Sequence, residues 1–245
     1  MSASIGILKQ PTILGGSARP AIDIDKESPD RSAGLREYAD TFAKEQLRGL
    51  VRQVFFPGSA GPVRQVVFSS IDQTDEIAHI CARVAEVLAS QVAGDVCVVE
   101  ANLRSPALHK FFRATIAADM NSSGKSDLRD GSRRISRNLW FIPSEMFLGE
   151  AGNSFPAAWV RSRLSELRHE FEYTVIHAAP AGLYSDTALL GQLSDGVILA
   201  LEAHRTRRIV ARRTREKLLA ANVRLLGMVL NQRTFPIPEG IYRKL

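Results

Sequence analysis

The chain has 245 residues, 45% of them hydrophobic, enough to bury a full core as one α/β-type domain. No apolar run approaches the ~20 residues that a bilayer-spanning helix needs, and the N-terminus lacks a signal-peptide core, so a soluble cytoplasmic protein is expected. A net charge of +6 suits an anionic partner, whether membrane surface, nucleic acid or acidic protein, and does not choose among them.

Residues 1–34 hold Pro11, Gly15, Gly16, Pro20, Pro29 and Gly34 with little periodicity. They are expected to form a flexible arm ahead of a single domain over 35–245, with Ile13-Leu14 as an apolar pair able to dock. From Leu35 to Phe56 the pattern turns helical. Leu35, Tyr38, Phe42, Leu47, Leu50, Val51 and Val54 form its apolar face, and Pro57-Gly58 ends it. Gly58 to Pro62 is a short linker.

Val66-Val67-Phe68 then reads as a strand ending at Ser69-Ser70, followed by the polar loop Asp72-Gln73-Thr74-Asp75-Glu76. Ile77, Ile80, Cys81, Val84, Val87 and Leu88 recur at helical spacing, and Val96-Cys97-Val98-Val99 is a short buried run. The two cysteines, Cys81 and Cys97, fall on inward-looking positions and read as free thiols of a reducing compartment. A strand feeding a loop that opens a helix is where parallel α/β proteins bind phosphate, because the loop amides and the helix N-terminus face the ligand. Such a loop should read G-x-x-x-x-G-K-S/T, with a lysine reaching the phosphates. This one has neither glycine nor lysine, and it carries Asp72, Asp75 and Glu76. Two like charges about 4 Å apart cost about 4 kcal/mol at a near-surface dielectric, so the loop should repel a triphosphate.

The stretch from Val66 to Phe112 resembles the core of the bacterial tyrosine kinases (BY-kinases), cytoplasmic domains of polysaccharide co-polymerases within the MinD/ParA group of P-loop proteins. That family reads V-T-S-x-x-P-G-E-G-K-S-T and then V-L-L-V-D-A-D-L-R-x-P-x-L-H-x-x-F. The second pattern is matched by Val98-Val99-Glu100-Ala101-Asn102-Leu103-Arg104-Ser105-Pro106-Ala107-Leu108-His109-Lys110-Phe111-Phe112. In the first, the family's glycine-lysine-serine falls on Glu76, Ile77 and Ala78, and its two aspartates fall on Glu100 and Asn102. Earlier in the chain, Glu45 and Arg48 match two positions of the family's E-x-x-R-x-x-R interface segment, with Val51 at the third and Arg52 displaced by one. Glu45 and Arg48 equally read as an i,i+3 pair on a solvated helix face.

His109 to Ala118 reads as a helix. Gly124-Lys125-Ser126 imitates the end of a phosphate loop, but no strand precedes it, and it reads as a polar surface loop. Asn138 to Pro143 is a strand and Trp159 to Phe171 an amphipathic helix. Phe171 to Pro180 resembles the family's F-D-Y-V-I-I-D-T-P-P, with His177 in place of the Walker B aspartate, and Tyr184 to Leu190 resembles S-D-A-x-x-L. Ser185 or Asp186 could instead cap a helix. Asp195 to Leu201 is a strand. The helix after it carries Arg205, Arg207, Arg208, Arg212, Arg213 and Arg215, facing an acidic lipid, a partner subunit or simply solvent. Gly227 to Asn231 is the last strand, and Asn231 matches the family's adenine-contacting asparagine. Tyr242 is alone where the family carries a tyrosine cluster.

The resemblance implies a mostly parallel α/β sheet flanked by helices on both faces, a P-loop NTPase fold of MinD/ParA type. Thr74, Ile77, Ala78, Glu100, Asn102, His177 and Asn231 become the positions of a degenerate nucleotide site. Ile77 supplies no cation, Asn102 binds Mg²⁺ weakly, and His177 is a soft donor for a hard ion. The expectation is therefore no cofactor, with ATP and Mg²⁺ as the alternative. His177, Glu100, His79 and Cys97 do not sit at a metal-ligand spacing, and His177 reads as a hydrogen-bonded core histidine. The expected role is contact with a membrane polysaccharide co-polymerase, with Glu45, Arg48 and Arg52 at an interface, possible homo-oligomers, no nucleic acid, and membrane association only through the partner. Rival readings are an active kinase borrowing Arg104 or Arg113 from a neighbouring subunit, and a ParA-like DNA-binding ATPase using Arg207, Arg208 and Arg212.

Overall fold

The computed structural model describes residues 4–7, 31–58, 63–116, 128–148 and 156–232. In chain order the elements are β1 (Ser4–Ile7), α1 (Arg31–Phe55), β2 (Gln65–Ser70), α2 (Glu76–Gln91), β3 (Val96–Ala101), α3 (His109–Ile116), α4 (Leu128–Gly131), β4 (Arg133–Arg134), β5 (Leu139–Ile142), α5 (Ser144–Leu148), α6 (Ala157–Glu170), β6 (Tyr173–Ala178), α7 (Asp186–Leu193), β7 (Gly196–Glu202), α8 (Arg208–Ala220) and β8 (Leu225–Asn231). One eight-stranded sheet runs β1-β8-β7-β2-β6-β3-β5-β4. Every neighbouring pair is parallel except β4 against β5 at one edge.

Strands β2, β3 and β6 are buried along their whole length, which is why they read as continuous apolar runs rather than alternating ones. Alternate side chains point to opposite faces. Val66, Phe68, Val96, Val98 and Val175 pack with α1 and α2, while Val67, Cys97, Val99, Ile176 and Leu199 pack with α5, α6 and α7. Helix α2 buries Ile77, Ala78, Ile80, Cys81, Ala82, Val84, Ala85, Leu88 and Ala89, a face wide enough to meet both the sheet and α1. The expected α/β architecture with two covered faces is present.

At the N-terminal edge of the strands, Asp195 ties β7 to β2. Its Oδ2 accepts from the Arg64 and Gln65 amides at 2.7 and 2.8 Å, and its Oδ1 accepts from Arg168 at 2.7 Å. Burial alone would raise this carboxyl, but the Arg168 hydrogen bond and the two amides outweigh it and hold it below its ordinary value.

Some boundaries differ from the sequence reading. The first helix starts at Arg31 rather than Leu35 and carries Gly34 within its first turn, where a helix tolerates glycine at a cost of about 1 kcal/mol. Ser4–Ile7, inside the stretch expected to be a flexible arm, pairs in parallel with β8 from Met228 to Asn231. The short elements α4, β4 and α5 were not legible, being too short to show a period. The rest of residues 1–30, the Gly124-Lys125-Ser126 stretch and the tail around Tyr242 lie outside the described residues. No helix among the described residues is long and apolar enough to cross a membrane.

Candidate functional site

The carboxyl ends of β2, β6 and β3 lie side by side at the centre of the sheet, where the crevice of an open parallel sheet takes its ligand. The register sets Glu100 directly opposite His177, and Phe68 of β2 on the other side of His177. Both polar residues share a face with Val98 and Val175, so they point toward α2 rather than α6.

Both are almost fully buried, Glu100 at 2% and His177 at 0% exposure. His177 Nδ1 donates to Glu100 Oε1 at 2.6 Å. The same carboxylate accepts from the amides of Asn102 (3.1 Å), Ala107 (2.8 Å) and Leu108 (2.9 Å). A carboxylate offers about four lone-pair directions, and all of them are taken. Glu100 therefore pins the loop 102–108 against β3 and fixes the start of α3. A buried charge tolerates such a place only when it is paired and hydrogen-bonded, as this one is.

Asn102 serves the same loop. Its Oδ1 accepts from the amides of Arg104 at 3.1 Å and Ser105 at 3.2 Å, an Asx-type turn. Thr74 Oγ1 accepts from the Glu76 amide at 3.2 Å and so opens α2. Ile77 and Ala78, where the resemblance puts lysine and serine, are 1% and 0% exposed and belong to the core. At the mouth, Lys110 from α3 meets Asp75 at 2.6 Å, so this lysine is held by the loop's own acid. His177 Nε2 is buried with no hydrogen-bond partner.

A second polar network, missed by the sequence reading, closes the back of the crevice. Thr187 Oγ1 donates to the Ala179 carbonyl at 2.6 Å, and Ser69 Oγ donates to the same carbonyl at 2.8 Å. Ser69 Oγ also accepts from the Ala181 amide at 3.0 Å. Gly182 lies so close to this loop that a Cβ would stand 2.4 Å from the Ile71 carbonyl. The only sequence signal was the pair of serines ending an apolar run.

The other nominated residues are dispersed. Asn231 is buried at the end of β8, and its carbonyl accepts from the Ala203 amide at 2.8 Å. Glu45, Arg48 and Arg52 are exposed on α1, with Glu45 and Arg48 ion-paired to each other. Arg104 lies over the Tyr184 ring at 5.0 Å and 3.9 Å from Asp186, and the side chain of Arg113 lies outside the described residues. Ser185 holds the N-cap position of α7 without a side-chain cap bond. On α8, Arg212 pairs with Glu216 at 2.8 Å. His79 stacks on Phe111 and Cys97 lies on the far face of the sheet, so neither joins Glu100 and His177. Burial pushes both thiols well up, with the Glu100 carboxylate adding to it for Cys81. Among the described residues no three His, Cys, Asp or Glu side chains gather to hold a metal ion. The arrangement does not fit Mg²⁺ at Glu100, because no lone pair is left for it.

No protein-family model matches the chain. The tyrosine-protein kinase CpsD of Streptococcus agalactiae serotype III is 26% identical over 148 residues, 58% of this chain. The match covers 63% of that relative's length, under two thirds of it. The kinase domain of the Escherichia coli tyrosine kinase ETK superposes with a TM-score of 0.62 at 15% identity, covering 80% of this chain and 79% of that one. A plasmid partition protein from Borrelia burgdorferi B31 bound to AMPPNP superposes with a TM-score of 0.56 at 16% identity, covering 75% and 80%. The chain thus has the P-loop fold shared by BY-kinases and the MinD/ParA group. These relatives correct one expectation. The reading that no cofactor goes with this chain is overturned by a kinase as sequence relative and by a nucleotide-bound structural relative.

Proposed function

We propose that the chain is a BY-kinase-like cytoplasmic subunit of a bacterial surface-polysaccharide production and export system. It offers ATP the crevice at the start of α2, and it acts by contact with a membrane co-polymerase rather than by rapid phosphoryl transfer. Residues 35–245 would form its single domain, and Glu45, Arg48 and Arg52 on the exposed face of α1 would contribute to the contact. Association with the inner membrane would come through that partner.

One observation carries the reading: Glu100, at the position of a family aspartate, has every acceptor direction filled by His177 and three backbone amides. Phosphoryl transfer is chiefly positioning and neutralisation of charge by a lysine and a metal. Here Ile77 stands at the lysine position, inside the core, and Glu100 has become a structural clamp. The output left to such a molecule is its surface.

The test is transfer of radiolabelled phosphate from ATP with Mg²⁺ to tyrosine by the native chain, set beside calorimetry with ATP, which reports nucleotide occupancy separately from turnover. ATP should bind while transfer stays far below the roughly 1–100 s⁻¹ typical of kinases. Transfer at a rate within that range would refute the reading.

A further inference from the structure

We propose that α8 is a membrane-facing surface whose outer face lies flat on the headgroups of anionic phospholipids. This adds a direct lipid contact to the association through a partner proposed above, and it does not rest on the reading of the crevice at α2.

The helix is thinly attached to the domain. Of its 13 residues Thr214 and Leu218 are the buried ones. Helix α6, with 14 residues, buries Val160, Leu164 and Leu167, and two of its cations are answered from within the domain, Arg163 by Glu166 and Arg168 by Asp195. On α8, Arg212 pairs with Glu216 at 2.8 Å. Arg208, Arg213 and Arg215 are exposed and form no ion pair among the described residues.

The outer face is laid out in two rows opposite Thr214 and Leu218. Arg208, Arg212, Arg215 and Leu219 stand at i, i+4, i+7 and i+11, and Ile209 and Arg213 begin the row beside them. Ile209 is 59% and Leu219 42% exposed, two of the five large apolar side chains left exposed among the described residues. At 1.5 Å per residue they stand about 15 Å apart along the axis, with Arg212, Arg213 and Arg215 between them.

A cationic face with a branched apolar side chain near each end suits a lipid interface, where guanidinium groups meet phosphates and the apolar tips enter the acyl boundary. A polyanion in water, such as duplex DNA, would use the arginines and leave Ile209 and Leu219 wet. The cations also run against the helix itself. Arg207 holds the N-cap position and Arg208 the first turn, with no acidic residue in that turn. Positive side chains at a helix N-terminus oppose the macrodipole, and an anionic surface brought against that end offsets the cost.

The test is flotation of the full chain with vesicles of phosphatidylcholine alone and with an equal mixture of phosphatidylcholine and phosphatidylglycerol. The chain should float with the mixed vesicles and not with the neutral ones. Arg208→Ala/Arg213→Ala/Arg215→Ala should weaken that partition about 100-fold, at roughly fivefold for each arginine near an anionic leaflet. Ile209→Asp/Leu219→Asp should weaken it about tenfold or more, since neither apolar tip then enters the interface. The proposal is overturned if the chain does not float with the mixed vesicles, if it floats equally with the neutral ones, or if either variant partitions like the native chain. A short DNA duplex at equal phosphate concentration should not displace the chain from the vesicles. Displacement would assign the face to nucleic acid and likewise overturn the proposal. Circular dichroism of each variant separates lost partition from lost folding, and all five substituted positions are exposed.

Discussion

Glu100 and Glu202 occupy the carboxyl ends of two strands of the same sheet, and their surroundings have opposite characters. Glu100 is inside, opposed by an imidazole and ringed by amides, with no oxygen to spare. Glu202 ends β7 beside an open cavity with one oxygen unmet. The first carboxylate is fully used by its neighbours, whereas the second is held by Arg205 with one oxygen buried and unmet. What a charged residue at a strand end does is therefore legible only once its hydrogen bonds have been accounted for.

The largest way to break this contrast is Glu100→Ala. It strands His177 and three amides together, so a loss of about 3–5 kcal/mol is expected in denaturant unfolding, with the loop 102–108 released. A loss under about 1 kcal/mol would mean the clamp is not holding that loop.

Asp195 sharpens the contrast from the other end of the strands. Its folded value is held below the ordinary carboxylate, so its contribution is fully present above the unfolded pKa and lost as the pH falls through the folded one. Asp195→Asn should cost about 1–2 kcal/mol at neutral pH. It should also flatten the fall in stability below about pH 4. An unchanged acid limb would show that Arg168 and the amides contribute nothing through charge.

The smallest effect belongs to Glu202→Gln, which removes charge from a group already half unsatisfied. A change within about 0.5 kcal/mol is expected in thermal unfolding. A loss as large as that at Glu100 would make the two glutamates alike and remove the basis for treating only one as a clamp.

Much of this was legible in the chain. The strand-loop-helix-strand of β2, α2 and β3 could be read because burial imposes a period on apolar residues, and the loop's lack of glycine and lysine was plain at Asp72 to Glu76. His177 was expected as a hydrogen-bonded core residue, and it is one. The start of α1 was misread, and the edge strand at Ser4–Ile7 and the pieces α4, β4 and α5 were missed, the short ones because they are set by their neighbours rather than by their own pattern.

The sequence by itself determined which segments alternate, which faces are apolar, and that the loop from Asp72 to Glu76 holds carboxylates with neither glycine nor lysine, because these are local properties of spacing and residue type. Only the tertiary structure decided that Glu100 meets a histidine 77 positions away, that Thr187 closes onto Ser69 across 118 positions, and that Glu202 lines a cavity with α8. Such partnerships depend on strand register and on which helix covers which face, and no local spacing encodes either.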